Sequence, residues 1–269
     1  MPVCWKQTQN SPVCSRRTRG EPQTVNYDSL ADLYERQYAN YRDDIAFYAR
    51  LAERENAQDI LELGAGAGRV SVALARRGLN VTGLELSAAM LERGQQFAAR
   101  ENVNVNFVLG DMTEFKLEQQ FPLVIAPFNA LMHLYSIRDQ DRALEMVRAH
   151  LQPNGVFVFD LYQPRFGLEG VLRHEGETFL EADGARLDVF VLQRIDRAAQ
   201  MAFTTYHLDS ISPKGNLTRE VLELQQRYFT RFEVERWLRP QGFRAEFQGD
   251  FDGSRLTDSS PNMVVVARL

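Results

Sequence analysis

The chain has 269 residues, 44% of them apolar and 25% charged, with a formal net charge of −5. That balance fits one large α/β domain, or a core domain with an embellishment, able to bury a sizeable core. No run approaches the ~20 apolar residues that a membrane span needs, and an acidic chain is a poor match for a nucleic-acid backbone.

Residues 1–24 are polar, with Lys6, Arg16, Arg17 and Arg19 ahead of the first acid, Glu21, and read as a flexible tail. They lack the apolar segment of a secretory signal. Cys4 and Cys14 have nine residues between them, a spacing unlike that of zinc ligands. The expectation is a cytoplasmic protein with incidental thiols and no metal site.

The stretch 27–55 carries apolar residues near helical spacing and reads as one or two amphipathic helices. From residue 58, strand and helix signals alternate. DILELG (59–64) is a buried strand, and GRVSVALARRG (68–78) a helix closed by Gly78. NVTGLEL (80–86) is the next strand, followed by a helix with Ser87 as N-cap. VNFVLGD (105–111) and FPLVIAPF (121–128) are the third and fourth strands. The helix IRDQDRALEMVRAHL (137–151) is stopped by the turn QPNG (152–155), and VFVFDLY (156–162) is the fifth strand. Such alternation builds a mainly parallel sheet. After residue 164 the rhythm changes. Residues 173–229 hold long β-rich segments separated by turns and read as an antiparallel meander. A helix (231–243) and two strands close the chain.

LELGAGAGR (61–69) places Gly64, Gly66 and Gly68 where a strand meets a helix N-terminus. Small residues there let the backbone approach a ligand beyond the carboxyl ends of the strands. The dinucleotide fingerprint needs its third glycine five positions after the first; here that position is Arg69. Glu85, ending the second strand, is able to accept both hydroxyls of a ribose. Asp111, after the third strand, can accept from an adenine amine while Met112 packs on the ring.

At this point the sequence resembles the class I S-adenosylmethionine-dependent methyltransferases. The resemblance rests on LELGAGAGR, GLELSAAML, GDMTEF, FPLVIAPFNALMHL and LQPNGVFVFDLY, in that order. It implies a Rossmann-like α/β fold: a seven-stranded, mainly parallel sheet with helices on both faces, plus an antiparallel β insertion after the fifth strand. Residues 25–269 would form the methyltransferase domain, with 173–229 as a lid or a dimerisation insertion. By the same resemblance Glu62, Gly64, Ala65 and Gly66 would line the methionine moiety of S-adenosyl-L-methionine. Glu85 would hold the ribose, Leu86 would pack beside adenine, and Asp111 and Met112 would hold that base. Pro127 and Phe128 would pass close to the sulfonium. Arg69 and Met90 complete the set, although Arg69 is equally read as facing solvent or capping a carbonyl. The segment YDSLADLYERQY (27–38) looks like the N-terminal helix that covers the cofactor in small-molecule members, which makes Tyr27, Tyr34 and Tyr38 candidates.

Methyl transfer needs alignment of a nucleophile and exclusion of water. FNALMHLY (128–135) leaves the fourth strand toward the methyl site, and offers Asn129, His133 and Tyr135. His133 is the first candidate for a base or an orienting group, against the plainer reading of a histidine that caps a helix. Tyr162 and Arg165 follow the fifth strand, while Asp160 reads as a residue of fold geometry. His174, Tyr206, His207 and Tyr228 are lid candidates, each equally at home on a solvated sheet face. Layout, GLELS and GDM resemble the subgroup that includes amino-sugar N-methyltransferases. The expected activity is therefore N- or O-methylation of a small molecule, with no nucleic-acid or membrane partner and a homodimer through the insertion as an option. The alternatives are a nucleic-acid or protein methyltransferase, a nicotinamide oxidoreductase, and a non-catalytic binding protein on the same fold.

Overall fold

The computed structural model describes Leu33 and residues 41–175, 178–181 and 183–269. The expected tail and Tyr27, Tyr34 and Tyr38 lie outside the described residues. Of the expected helices in 27–55, the described part is α1 (Asp43–Arg54).

The alternating stretch folds as β1 (Asp59–Leu63), α2 (Arg69–Ala75), β2 (Asn80–Glu85), α3 (Ala88–Arg100), β3 (Asn106–Leu109), β4 (Phe121–Ala126), α4 (Ile137–His150) and β5 (Leu151–Tyr162). The chain closes with α5 (Arg231–Leu238), β11 (Arg244–Gln248) and β12 (Asn262–Arg268). These strands form one seven-stranded sheet in the order β3-β2-β1-β4-β5-β12-β11. The first five are parallel, and β12 runs antiparallel to both neighbours.

Strand side chains alternate between two cores, which is why both faces need helices. Leu61, Leu63, Val124, Ala126, Phe157, Phe159 and Val265 pack with α4 and α5 residues such as Leu144, Val147, Val234 and Leu238. Ile60, Leu123, Ile125, Val158 and Val264 pack on the other face with Ile45, Tyr48 and Leu51 of α1 and with Val70 and Leu74 of α2. Each fully buried Leu, Ile or Phe contributes about 1.5–3 kcal/mol. Ser87 caps α3 as expected, its hydroxyl accepting the Met90 N–H at 3.2 Å.

One expected turn is absorbed into a strand. Pairing between β4 and β5 jumps from Phe121–Leu151 to Leu123–Val156, so that three extra β5 residues loop out. Asn154 takes φ +61° in that loop. The QPNG segment thus makes an irregularity at the start of β5 and does not separate the strand from α4.

The meander forms a second sheet from β6 (Arg173–His174), β7 (Phe179–Leu180), β8 (Arg186–Asp196), β9 (Met201–Ile211) and β10 (Leu217–Arg227). Its order is β10-β9-β8-β6, with β7 also pairing β8, and every pairing is antiparallel. One face is apolar at one end, where Leu187, Val189, Leu222 and Leu224 enclose Leu33. No helix among the described residues is long and apolar enough to cross a membrane.

Candidate functional site

The turn between β1 and α2 determines the first half of the site. Gly64, Gly66 and Gly68 adopt φ of +71°, +57° and +81°, values that L side chains rarely take. Space imposes a second constraint: a Cβ on Gly64 would lie 3.0 Å from the Ala130 Cβ, and one on Gly68 would lie 2.9 Å from the Phe107 ring. Glu85 holds this turn in place. Its Oε2 accepts the Gly66 N–H at 2.8 Å and its Oε1 accepts the Ser87 N–H at 2.8 Å. Glu62 is buried beneath the turn and accepts from the Ser71 hydroxyl. Burial pushes its carboxyl up to about 8, so it is largely protonated at neutral pH.

Above this turn lies a cavity of about 420 Å³, within the usual range for a ligand site. The structure brings Glu62, Gly64, Ala65, Gly66, Arg69, Glu85, Leu86, Met90, Asp111, Met112, Pro127 and Phe128 together around it, with His133 on the same wall. Asp111 Oδ1 accepts from the Thr113 backbone N–H at 2.7 Å and the Thr113 hydroxyl at 2.8 Å. Arg69 is half-buried and turned toward the protein. Its guanidinium pairs with the buried Asp44, donates to the Tyr41 carbonyl at 3.2 Å, and lies 5.5 Å and 5.2 Å from the ring centres of Tyr41 and Phe128.

A second cavity, about 330 Å³, lies between the carboxyl ends of β4 and β5 and the inner face of the five-stranded sheet. Asn129, Asp160 and Tyr162 form its floor; Val191, Gln193, Thr204, Tyr206, Leu224 and Gln226 form its roof. Alternate residues of β8, β9 and β10 share a face, and Gln193 pairs with Thr204 across the strands. Arg165, Arg173 and Glu175 supply charge at its side, and Tyr41 and Phe251 supply rings. The buried Nε of Arg173 meets no protein acceptor among the described residues. Among the described residues, Phe128 lines both cavities.

The wall between the cavities is a strained turn. Phe128 and Asn129 take φ of +56° and +64°, consecutive left-handed values outside glycine, and such conformations persist only where surrounding contacts enforce them. The Asp160 carboxylate supplies that enforcement: Oδ1 accepts the Phe128 N–H at 2.8 Å and Oδ2 the Asn129 N–H at 3.1 Å. The Tyr48 hydroxyl donates to the same carboxylate at 2.9 Å. Burial raises the Asp160 carboxyl to about 6, against the lowering effect of these donors. Asn129, expected to act on substrate, commits its Oδ1 to the Tyr162 N–H at 2.5 Å.

His133 ends a 3-10 turn, Ala130–His133. Burial depresses its imidazole to about 4, which leaves it neutral at physiological pH. Its Nδ1 lies 3.4 Å from the Tyr135 hydroxyl, and that hydroxyl donates to the Gln225 carbonyl at 3.0 Å. Tyr135 therefore ties the turn to β10, and it does not line either cavity among the described residues. Of the lid candidates, Tyr206 faces the second cavity. His174 packs edge-on to Phe190, His207 sits opposite Phe190, and Tyr228 packs on Phe166. Sequence reasoning missed Tyr41, Arg173, Glu175, Gln193, Thr204 and Gln226. No local signal marked them: on β8 the face that carries Gln193 is otherwise Leu187, Val189, Val191 and Ile195, and Tyr41, Arg173 and Glu175 lie outside the three long strands.

Residues 60–155 match a family described as a methyltransferase domain. The chain is 27% identical over 238 residues to a dTDP-3-amino-3,6-dideoxy-alpha-D-glucopyranose N,N-dimethyltransferase of Streptomyces fradiae, across 84% of this chain and 88% of that one. Among solved structures it resembles the CcbJ methyltransferase of Streptomyces caelestis, with a TM-score of 0.69 and 29% identity over 89% of this chain and 95% of that one. An amino pentose methyltransferase from Micromonospora echinaspora, solved with S-adenosylmethionine bound, shares the fold at a TM-score of 0.73 and 22% identity, across 88% and 96% of the two chains.

Proposed function

We propose that this chain, an S-adenosylmethionine-dependent methyltransferase of small molecules, methylates the amine of a sugar-like acceptor held in the second cavity. The observation that carries the proposal is the pair of cavities meeting at Phe128, one built on the glycine turn and the other polar and roofed by the antiparallel sheet.

The first cavity fits the methyl donor in chemistry as well as size. Glu85 would accept the ribose hydroxyls and Asp111 the adenine amine, with Leu86, Met90 and Met112 packing against the base. Glu62 and the Gly64–Gly66 backbone would receive the methionine end, and Pro127 and Phe128 would flank the sulfur. The bound donor supplies an electrophilic methyl group with a thioether as leaving group. The protein's task is alignment in a dry site, worth up to roughly 7–11 kcal/mol.

A neutral amine attacks through its lone pair and needs no strong base. The neutral imidazole of His133 is suited to accept a hydrogen bond from the amine N–H and so aim that lone pair. The acceptor cavity carries Glu175 for an amine, and Gln193, Thr204 and Gln226 for hydroxyl groups. Arg165 and Arg173 fit a phosphate-bearing acceptor, and the Streptomyces fradiae relative is named for a dTDP-linked amino sugar. The net charge of −5 favours such a small acceptor over nucleic acid. The antiparallel sheet serves as the lid of this cavity. Its terminal strand, β10, exposes Leu217 and Val221, which supports pairing of two copies along that edge.

The test is incubation with S-adenosylmethionine and a panel of nucleoside-diphosphate sugars, read by mass spectrometry. The amino sugars should gain one or two methyl groups, and their hydroxyl analogues should gain none. Turnover of the hydroxyl analogues alone would refute the amine assignment.

A further inference from the structure

The residues that bracket Phe128 carry a consequence for the geometry of transfer. Phe128 is the shared wall of the two cavities, so its position determines how the donor side and the acceptor side meet. Nothing intrinsic to its sequence holds it there, because two consecutive non-glycine residues in the left-handed region are disfavoured. Its backbone is held by a carboxylate 32 residues away, at the end of the neighbouring strand.

We propose that Asp160 is a positioning residue for methyl transfer: its carboxylate clamps the Phe128–Asn129 turn and thereby aligns the two cavities. The inference rests on the functional reading above. Three donors converge on one buried carboxylate: the Phe128 and Asn129 N–H groups and the Tyr48 hydroxyl. Hydrogen bonds to a charged, buried acceptor are the strong kind. The turn is also latched from its far side, because Asn129 Oδ1 accepts the Tyr162 N–H. The end of β4 is therefore bolted twice to the end of β5, at adjacent residues. The ring of Phe128 is held separately, under the Arg69 guanidinium that pairs with Asp44 of α1. Tyr48 belongs to the same helix. One helix thus supports both the backbone and the ring of the wall.

The carboxylate form is essential to this role. An Asn side chain presents one acceptor oxygen and one N–H₂ donor. It can receive the Phe128 N–H, but its amide would then face the Asn129 N–H donor to donor. Asp160→Asn keeps the size of the side chain and removes one end of the clamp.

The experiment has two readouts. The first is amide hydrogen exchange of the cofactor-free protein. In Asp160→Asn the Phe128 and Asn129 amides should exchange roughly 10–100-fold faster, with the rest of β4 unchanged. The second is steady-state methyl transfer. kcat should fall by roughly 100-fold, while the cofactor Kd and the acceptor KM stay within about threefold, because a small misplacement of the reacting groups costs rate more than binding. Tyr48→Phe leaves the carboxylate in place and removes one donor. It should lower kcat about 3–10-fold and speed exchange at the same two amides, and it serves as the test if Asp160→Asn does not fold. Unchanged exchange at 128–129, an unchanged kcat, or a loss of cofactor affinity in step with kcat would each overturn the proposal. If instead the wild type fails to methylate amino sugars while the exchange result holds, the functional reading fails and the clamp stands.

Discussion

Arg69 and Asp44 make a two-point ion pair, with Nη1 and Oδ1 3.0 Å apart and Nη2 bonded to Oδ2. The Asp44 side chain is 1% exposed and that of Arg69 24%. The pair joins the first turn of the helix after the glycine loop to α1, and it lays the guanidinium between the rings of Tyr41 and Phe128. The helix that carries Tyr48, the donor to Asp160, is thereby tied to the glycine turn.

Removing one member of a buried pair leaves the other charge uncompensated. Arg69→Met should destabilise the fold by about 3–5 kcal/mol. Asp44→Asn with Arg69→Met together should recover most of that loss. Urea unfolding of the wild type and the two variants checks this, and equal stability of Arg69→Met and wild type would show that Asp44 is solvated.

Glu62 gives the fold a pH dependence whose sign is set by its raised carboxyl. Its value in the unfolded chain is 4.5 and in the fold about 8, so the folded state prefers the protonated form. Its favourable contribution is complete below about pH 4.5 and is lost as pH rises through about 8, a span of roughly 3–5 kcal/mol. Glu62→Gln cannot ionise. The stability of the cofactor-free wild type should therefore fall relative to this variant between about pH 5 and pH 9. Parallel thermal-melt curves over that range would contradict it.

Glu85 anchors the glycine turn through the Gly66 and Ser87 amides as well as facing the cavity. Glu85→Ala should weaken S-adenosylmethionine binding by roughly 10²-fold, since two amides lose a charged acceptor and, in the proposed placement, the ribose loses its partner. Calorimetric titration measures this directly. Affinity within about threefold of wild type would remove Glu85 from the ribose site.

His133 is held neutral by burial, with its imidazole at about 4. Its part in turnover should therefore be constant from about pH 6 to pH 9. His133→Ala should lower kcat by roughly 10-fold or more and leave the cofactor Kd unchanged, with the two pH profiles parallel in that range. A kcat profile in which wild type alone shows a titration near 6.5, the ordinary imidazole value, would assign His133 a proton-transfer role instead.

The parallel half of the fold and the cavity over the glycine turn were legible because local chemistry determines them. Three glycines between a strand and a helix, an acid ending β2 and an acid after β3 each act near their own place in the chain. The strand order, with β12 antiparallel between β5 and β11, carried no comparable local signal. The second cavity was illegible for a related reason. Its floor comes from β4 and β5 and its roof from β8, β9 and β10, strands whose inward faces depend on how the second sheet lies over the first. Gln193 and Gln226, polar residues that carry no motif, are both buried in that roof. Asn129 and Tyr135 read as substrate-facing groups because they follow β4. Asn129 does line the second cavity, with its Oδ1 held by the Tyr162 N–H 33 residues away, whereas Tyr135 lines neither cavity and gives its hydroxyl to the Gln225 carbonyl 90 residues away, pairings that only the folded chain reveals. Asp160 was recognised as a residue of geometry, but its partners, two amides of a left-handed turn, were not foreseeable from a strand ending in Phe-Asp-Leu-Tyr.

The central claim is that donor and acceptor meet across Phe128, each from its own cavity. A crystal structure with S-adenosylhomocysteine and a nucleoside-diphosphate amino sugar tests it most directly. The adenosine should lie over the glycine turn, the sugar beneath Gln193 and Thr204, and the amine nitrogen beside Phe128 facing the sulfur, with room for a methyl carbon about 3–3.5 Å from the nitrogen. A sugar bound outside the second cavity, or one whose amine points away from the sulfur, would contradict it.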